Sequence, residues 1–358
     1  MLRGLFLTAV VSALAAPALA NDTMAELGTG GLTYVRSDLV QMQSEELFIS
    51  PDEVRVAYVF KNTGDEDIES VVAFPMPDIE ADPYEMAAIP HNGRDNFLDF
   101  EVEADGKPIR PLLDQRVFAA EVDLTDLLKS AAVPLFPYGD AVEAAVAKLP
   151  QKMRDEWVAR GLLYPEEFDA GQGWRKVWTP VWRLKSTYWW RMNFPAGKEV
   201  RVTHRYRPSV GATVATTFFE DGKAGGENYD LYRTKYCMDA AFVRAVEAAA
   251  AKTPEKYPPY YENWISYILR TGGNWATSIG SFRLTIDKGS PRNLVSFCGQ
   301  GVRKTGPTTF EMTATDFYPE HDLDILILKP LEQFRDDPAA AGDADSTGGG
   351  DAKASGGK

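Results

Sequence analysis

The chain has 358 residues, 44% of them hydrophobic and 25% charged, with 38 Lys and Arg against 52 Asp and Glu for a formal net charge of −14. That is more chain than one core usually serves, so two folded domains are expected. The acid excess argues against a nucleic-acid ligand, because phosphate binding depends on Lys and Arg in excess. No stretch reaches the roughly 20 apolar residues of a spanning helix, so no transmembrane anchor is expected.

In chain order, Met1-Leu2-Arg3, the apolar run Leu5 to Ala16 and the small-x-small Ala18-Leu19-Ala20 read as an export signal cut after Ala20. The mature chain then starts at Asn21, carries a charge of −15 because Arg3 is lost, and is expected in the periplasm. Gly28 to Gly31 reads as a flexible lead. Leu32 to Val35 and Leu39 to Ile49 read as strands, the second interrupted at Ser44-Glu45. Val54, Val56, Tyr58 and Phe60 alternate with more polar neighbours, and after the turn at Asn62 to Asp65 the chain returns from Ile68 to Phe74. A long loop covers residues 78 to 96. Asp105-Gly106 between two short β-type runs is a hairpin signal, since both residues tolerate positive φ.

The pattern changes near residue 121. Val122 to Ala132, a run capped by Asp140, and a run opened by Pro150 and closed by Gly161 read as helices. Residues 121–172 therefore form a helical insert, which packs on a sheet or acts as a lid. From Lys185 to Phe194 and from Glu199 to Pro208 the chain reads as a hairpin turning at Pro195-Ala196-Gly197. Trp174, Trp178 and Trp182 fall four apart, as on one helical face. A helix over Met238 to Lys252 and strands at Asn263 to Thr271, Phe282 to Asp287, Leu294 to Cys298, Thr308 to Thr315 and Leu323 to Leu328 follow. The expectation is a mainly β protein of two antiparallel sandwich-like domains, residues 21–120 and 173–330, with the insert between them and a disordered acidic tail over 331–358. Glu53-Val54-Arg55-Val56 recurs as Glu199-Val200-Arg201-Val202, as two related sheets would give.

The search for chemistry gives little. The chain has three histidines, His91, His204 and His321, and they are scattered; no G-x-S-x-G elbow, zinc cluster or calcium loop is present. No catalytic residue, metal or cofactor is assigned. Cys237 and Cys298, the two cysteines, are expected to pair in an oxidising compartment. Consecutive Trp189 and Trp190 in a strand must face opposite sides, so one looks away from the core. Trp178, Trp182, Trp189, Trp190 and Arg205 are the candidate ligand-binding residues, through stacking of a flat apolar face or attraction of an anion.

The runs Asn21-Asp22-Thr23-Met24-Ala25, Ala73-Phe74-Pro75-Met76-Pro77 and His204-Arg205-Tyr206-Arg207-Pro208 resemble an exported bacterial family, domain of unknown function 4424. The resemblance covers nearly the whole mature chain and implies an exported, mostly β protein, with no catalytic residues to carry over. The functional expectation is a non-catalytic binding or envelope-interaction protein whose partner is an envelope protein or a glycan. The alternative is a glycan-binding or glycan-hydrolysing protein using the Trp-rich region.

Overall fold

The structure, a computed structural model, describes residues 22–28, 31–81, 89–91, 95–169 and 173–336. The expected signal at 1–20, the tail beyond residue 336 and part of the 78–96 loop lie outside the described residues. The protein is mainly β, with several antiparallel sheets and few helices, as the alternating pattern predicts.

Three sheets organise it. An eight-stranded sheet runs in the order Arg303–Lys304, Thr309–Phe317, Ile279–Asp287, Val40–Ile49, Val54–Asn62, Glu199–Tyr206, Glu101–Ala104 and Lys107–Ile109. All its neighbours are antiparallel except Ile279–Asp287 beside Val40–Ile49. A seven-stranded sheet has Arg183–Phe194 at its centre, flanked by Leu112–Ala119 and Ile68–Pro75, with Thr23–Gly28 and Gly31–Val35 beyond. A four-stranded sheet pairs Tyr260–Tyr267 with Leu323–Pro330 at its centre.

Alternation along the strands of the large sheet puts Val54, Val56, Tyr58 and Phe60 inward, all at most 2% exposed. Both smaller sheets cover that inner face. Phe60 meets Phe194 of the seven-stranded sheet with ring centres 6.0 Å apart, and the Tyr58 hydroxyl lies 3.3 Å from that of Tyr267 in the four-stranded sheet. One core therefore draws on all three. Ile325 and Ile327 point into it, whereas Leu326 and Leu328 join a second core under helices Glu227–Lys235 and Ala240–Ala250. A strand buried on both faces explains the unbroken apolar run at 325–328.

Several expectations need correction. Strand pairing crosses the boundary drawn between residues 21–120 and 173–330, because Arg183–Phe194 sits between strands of the first segment and Glu199–Tyr206 lies between Val54–Asn62 and Glu101–Ala104. Hairpin signals specify strands locally but do not choose distant partners. The two copies of Glu-Val-Arg-Val lie on neighbouring strands of one sheet. Thr23–Gly28 is a strand ahead of the expected flexible lead, and Val40–Ile49 is continuous, with a register shift between Met42 and Ser44 in place of a break. Trp174 and Trp178 lie on no helix: Trp174–Pro180 is a strand paired with Leu163–Asp169, where Val177 and Thr179 suit an extended backbone. Leu331–Asp336 begins the expected disordered tail as a 3-10 turn, with Phe334 edge-on to Tyr261.

Other elements match. Helices Thr125–Ser130, Asp140–Lys148 and Gln151–Ala159 occupy the insert and bury Leu128, Val142, Val146 and Trp157. Asp105 and Gly106 take φ of 49° and 72° in the expected turn. Cys237 and Cys298 form a disulfide that ties the end of helix Glu227–Lys235 to the strand Leu294–Phe297.

Candidate functional site

The outer face of the eight-stranded sheet carries a groove of about 490 Å³. Two rows of side chains cross its strands. One row is Thr285, Phe48, Arg55, Arg205 and Glu101; the next is Arg283, Glu46, Ala57, Thr203 and Glu103. Ala57 and Thr203 are short, so the second row is low in the middle, between the carboxylates Glu46 and Glu103, with Arg283 beyond Glu46.

Arg55 and Arg205 stand directly opposite each other on adjacent strands. Like charges in that position repel and cost stability unless something answers them. In this structure each is drawn sideways. Arg55 Nε lies 3.0 Å from a Glu53 oxygen with its guanidinium 4.3 Å from the Phe48 ring centre, and Arg205 gives Glu101 Oε2 hydrogen bonds of 2.6 and 3.2 Å from Nη2 and Nε. Both side chains are exposed, so these pairs are weak and exchangeable.

Directly beneath the groove, on the inward side of the same strand, lies a closed polar centre. His204, Asp22 and Glu45 are at most 2% exposed, and His204 Nε2 is 3.4 Å from Asp22 Oδ2. Rings of Tyr58, Phe74, Phe100 and Trp190 surround the imidazole at centre distances of 5.0 to 5.5 Å. Burial lowers the His204 pKa to about 3, which leaves the ring neutral at pH 7. Burial, then the neighbouring Glu45 charge, raises that of Asp22. Side chains this enclosed offer a dissolved substrate no access.

A second buried acid lies under the helices. Glu262 is 0% exposed; its oxygens accept from the Thr217 N–H at 2.6 Å and the Tyr232 hydroxyl at 3.0 Å. Burial outweighs those donors and raises its pKa to about 7. Among the described residues no three His, Cys, Asp or Glu side chains are grouped to hold a metal ion.

A family model described as a domain of unknown function, DUF4424, matches residues 20–326. The chain belongs to the DUF4424 family. No curated protein matches this DUF4424 chain in sequence. A solved structure of a proposed nutrient-binding protein from Legionella pneumophila is similar at 15% identity and a TM-score of 0.42, covering 89% of this chain and 74% of that one.

The candidate residues read from the sequence do not converge in this DUF4424 protein. Trp182 is fully buried and donates from Nε1 to the Leu135 carbonyl at 2.8 Å; Trp190 is 3% exposed and faces His204. Trp189 faces the other side of its sheet and packs on Ala25, Val71 and Ala73, and Trp178 is half-buried with the Arg154 guanidinium 4.0 Å from its ring centre. Interior or covered rings give no shared stacking platform. Arg205 alone lines the groove. Arg55, Arg283, Glu46, Glu103 and Phe48 were missed. Each sits at an outward position of an alternating strand, but only strand order reveals that they are neighbours.

Proposed function

We propose that this protein is an exported, non-catalytic binding protein of the cell envelope, and that the outer groove is its ligand site. The observation that carries the reading is the register pair Arg55 and Arg205, two exposed arginines at directly opposite positions of adjacent strands, beside the short Ala57 and Thr203. A carboxylate above that gap would meet two planar donor forks at once and relieve their mutual repulsion. Glu46 and Glu103, on either side of Ala57 and Thr203 in the low row, suit a ligand that also carries a cationic group. A volume of about 490 Å³ fits a small molecule. Export is supported by the first twenty residues and by the disulfide; among the described residues no helix is long and apolar enough to cross a membrane.

The test is calorimetric titration of the mature protein with small carboxylates, amino acids, acidic sugars and neutral oligosaccharides. Saturable binding of a carboxylate-bearing member, lost in Arg55→Ala/Arg205→Ala with the melting temperature kept, is expected. Binding of a neutral oligosaccharide that the double substitution leaves intact would reject the site. Cell fractionation with sequencing of the mature N-terminus checks the location.

A further inference from the structure

The two carboxylates of the low row are not equivalent. Glu46 has Arg283 directly opposite it on the next strand, whereas Glu103 has Thr203 on one side and Pro108 on the other. Glu103 is exposed and makes no ion pair among the described residues. Arg201 and Arg205 lie diagonal to it across the strand pair, and Arg205 is already held by Glu101. A cation brought to this end of the groove therefore finds a carboxylate with no cation directly opposite.

Strand spacing fixes how far Glu103 lies from the arginine pair. Adjacent strands are about 4.8 Å apart, and residues two apart on one strand about 6.8 Å. From the midpoint between Arg55 and Arg205, Glu103 is one and a half strand spacings across and two residues along, about 10 Å from backbone to backbone. An ammonium hydrogen-bonded to Glu103 on its Thr203 side sits about 3 Å nearer across the strands, which leaves about 8 Å to a carboxylate above the arginine pair. An α-amino acid spans about 2.5 Å from carboxyl carbon to nitrogen and cannot meet both. Each further methylene of an extended chain adds about 1.25 Å, so five methylenes between the two groups give about 7.5 Å.

We propose that the groove selects a carboxylate carrying an ammonium about five methylenes away, the spacing of the carboxyl and side-chain ammonium of lysine, with the carboxylate at Arg55 and Arg205 and the ammonium at Glu103. This deepens the groove reading above and rests on it. The methylenes cross above Thr203, whose short side chain leaves them room. Glu101 holds Arg205 through exposed hydrogen bonds, so the ligand's carboxylate displaces it at little cost. The released Glu101 stands two residues from Glu103 on the same outward face and adds a second acid near the ammonium. An α-ammonium beside the carboxylate would instead be repelled by both guanidiniums, so the chain suited best is one whose α-nitrogen is absent or an amide.

The experiment is a chemical-shift titration of the protein with 6-aminohexanoate, hexanoate, glycine and acetate. The first should bind about three- to fivefold more tightly than hexanoate, the worth of one exposed ion pair, while glycine gains nothing over acetate. Glu103→Gln should bring 6-aminohexanoate and hexanoate to equal affinity, and Glu46→Gln should keep them apart. Three results overturn this inference alone, each with hexanoate still bound through Arg55 and Arg205: no gain from the ammonium, a gain as large for glycine over acetate, or a gain that survives Glu103→Gln. If neither six-carbon acid binds, or if Arg55→Ala/Arg205→Ala binds them as the native protein does, the carboxylate site falls and this inference falls with it.

Discussion

Replacing Glu262 with Gln isolates one buried titration. Glu262 lies with no exposure between the four-stranded sheet and the helices above it, accepting from the Thr217 N–H and hydroxyl and from the Tyr232 hydroxyl. Burial is the largest influence on it and raises its pKa from 4.5 to about 7. The folded state therefore holds this proton more tightly than the unfolded chain does. The associated stability is fully present below pH 4.5 and is lost as pH rises through 7. At 1.36 kcal/mol for each unit, the loss is about 3 kcal/mol. Gln keeps a carbonyl acceptor for Thr217 and carries no charge at any pH, so Glu262→Gln escapes the loss. Urea unfolding of both proteins between pH 4.5 and 8 measures the difference directly, and titrations common to both cancel. Glu262→Gln should gain on the native protein by about 3 kcal/mol across that window, most of it between pH 5 and 7. A difference that stays flat within about 0.5 kcal/mol would show that the carboxyl ionises normally in the folded state and would refute the burial argument.

Three further outcomes are expected. Trp182→Ala removes a fully buried ring and orphans the Leu135 carbonyl it serves, so chemical unfolding should show a loss of about 3–5 kcal/mol. Cys237→Ser with Cys298→Ser opens a link spanning 61 residues; the chain-entropy model gives a loss of about 4 kcal/mol, and a midpoint in urea matching that of the native protein would count against the bridge as a stabiliser. Gly280→Ala places a Cβ 2.7 Å from the Gln43 carbonyl oxygen, a backbone atom with little room to retreat, and should cost roughly 1–3 kcal/mol in thermal unfolding. Gly225→Ala, where a Cβ meets nothing within 4 Å, is its near-neutral control.

The sequence by itself determined what depends on near neighbours. Alternation at Val54 to Phe60 and at Glu199 to Tyr206 gave strands with one buried face, and Asp105-Gly106 gave a turn because both residues accept positive φ. Asp239 caps helix Ala240–Ala250 by accepting from the Phe242 N–H at 2.7 Å, a local hydrogen bond written into the chain. Family membership was also legible, through short runs spread along the chain.

Tertiary structure alone decided which strands became neighbours, and with that every feature assembled across strands. Arg55 and Arg205 are 150 positions apart and reveal nothing of each other until Val54–Asn62 and Glu199–Tyr206 pair in register. The same pairing puts His204 opposite Val56 and, through the facing sheet, beside Asp22. Tryptophan density in one stretch suggested a surface for stacking, but burial is a property of what packs against a ring, and Trp182 and Trp190 met the core. Strand propensity is local, whereas partner choice minimises exposed apolar area over the whole chain, so the groove and the buried acids exist only once the sheets have closed.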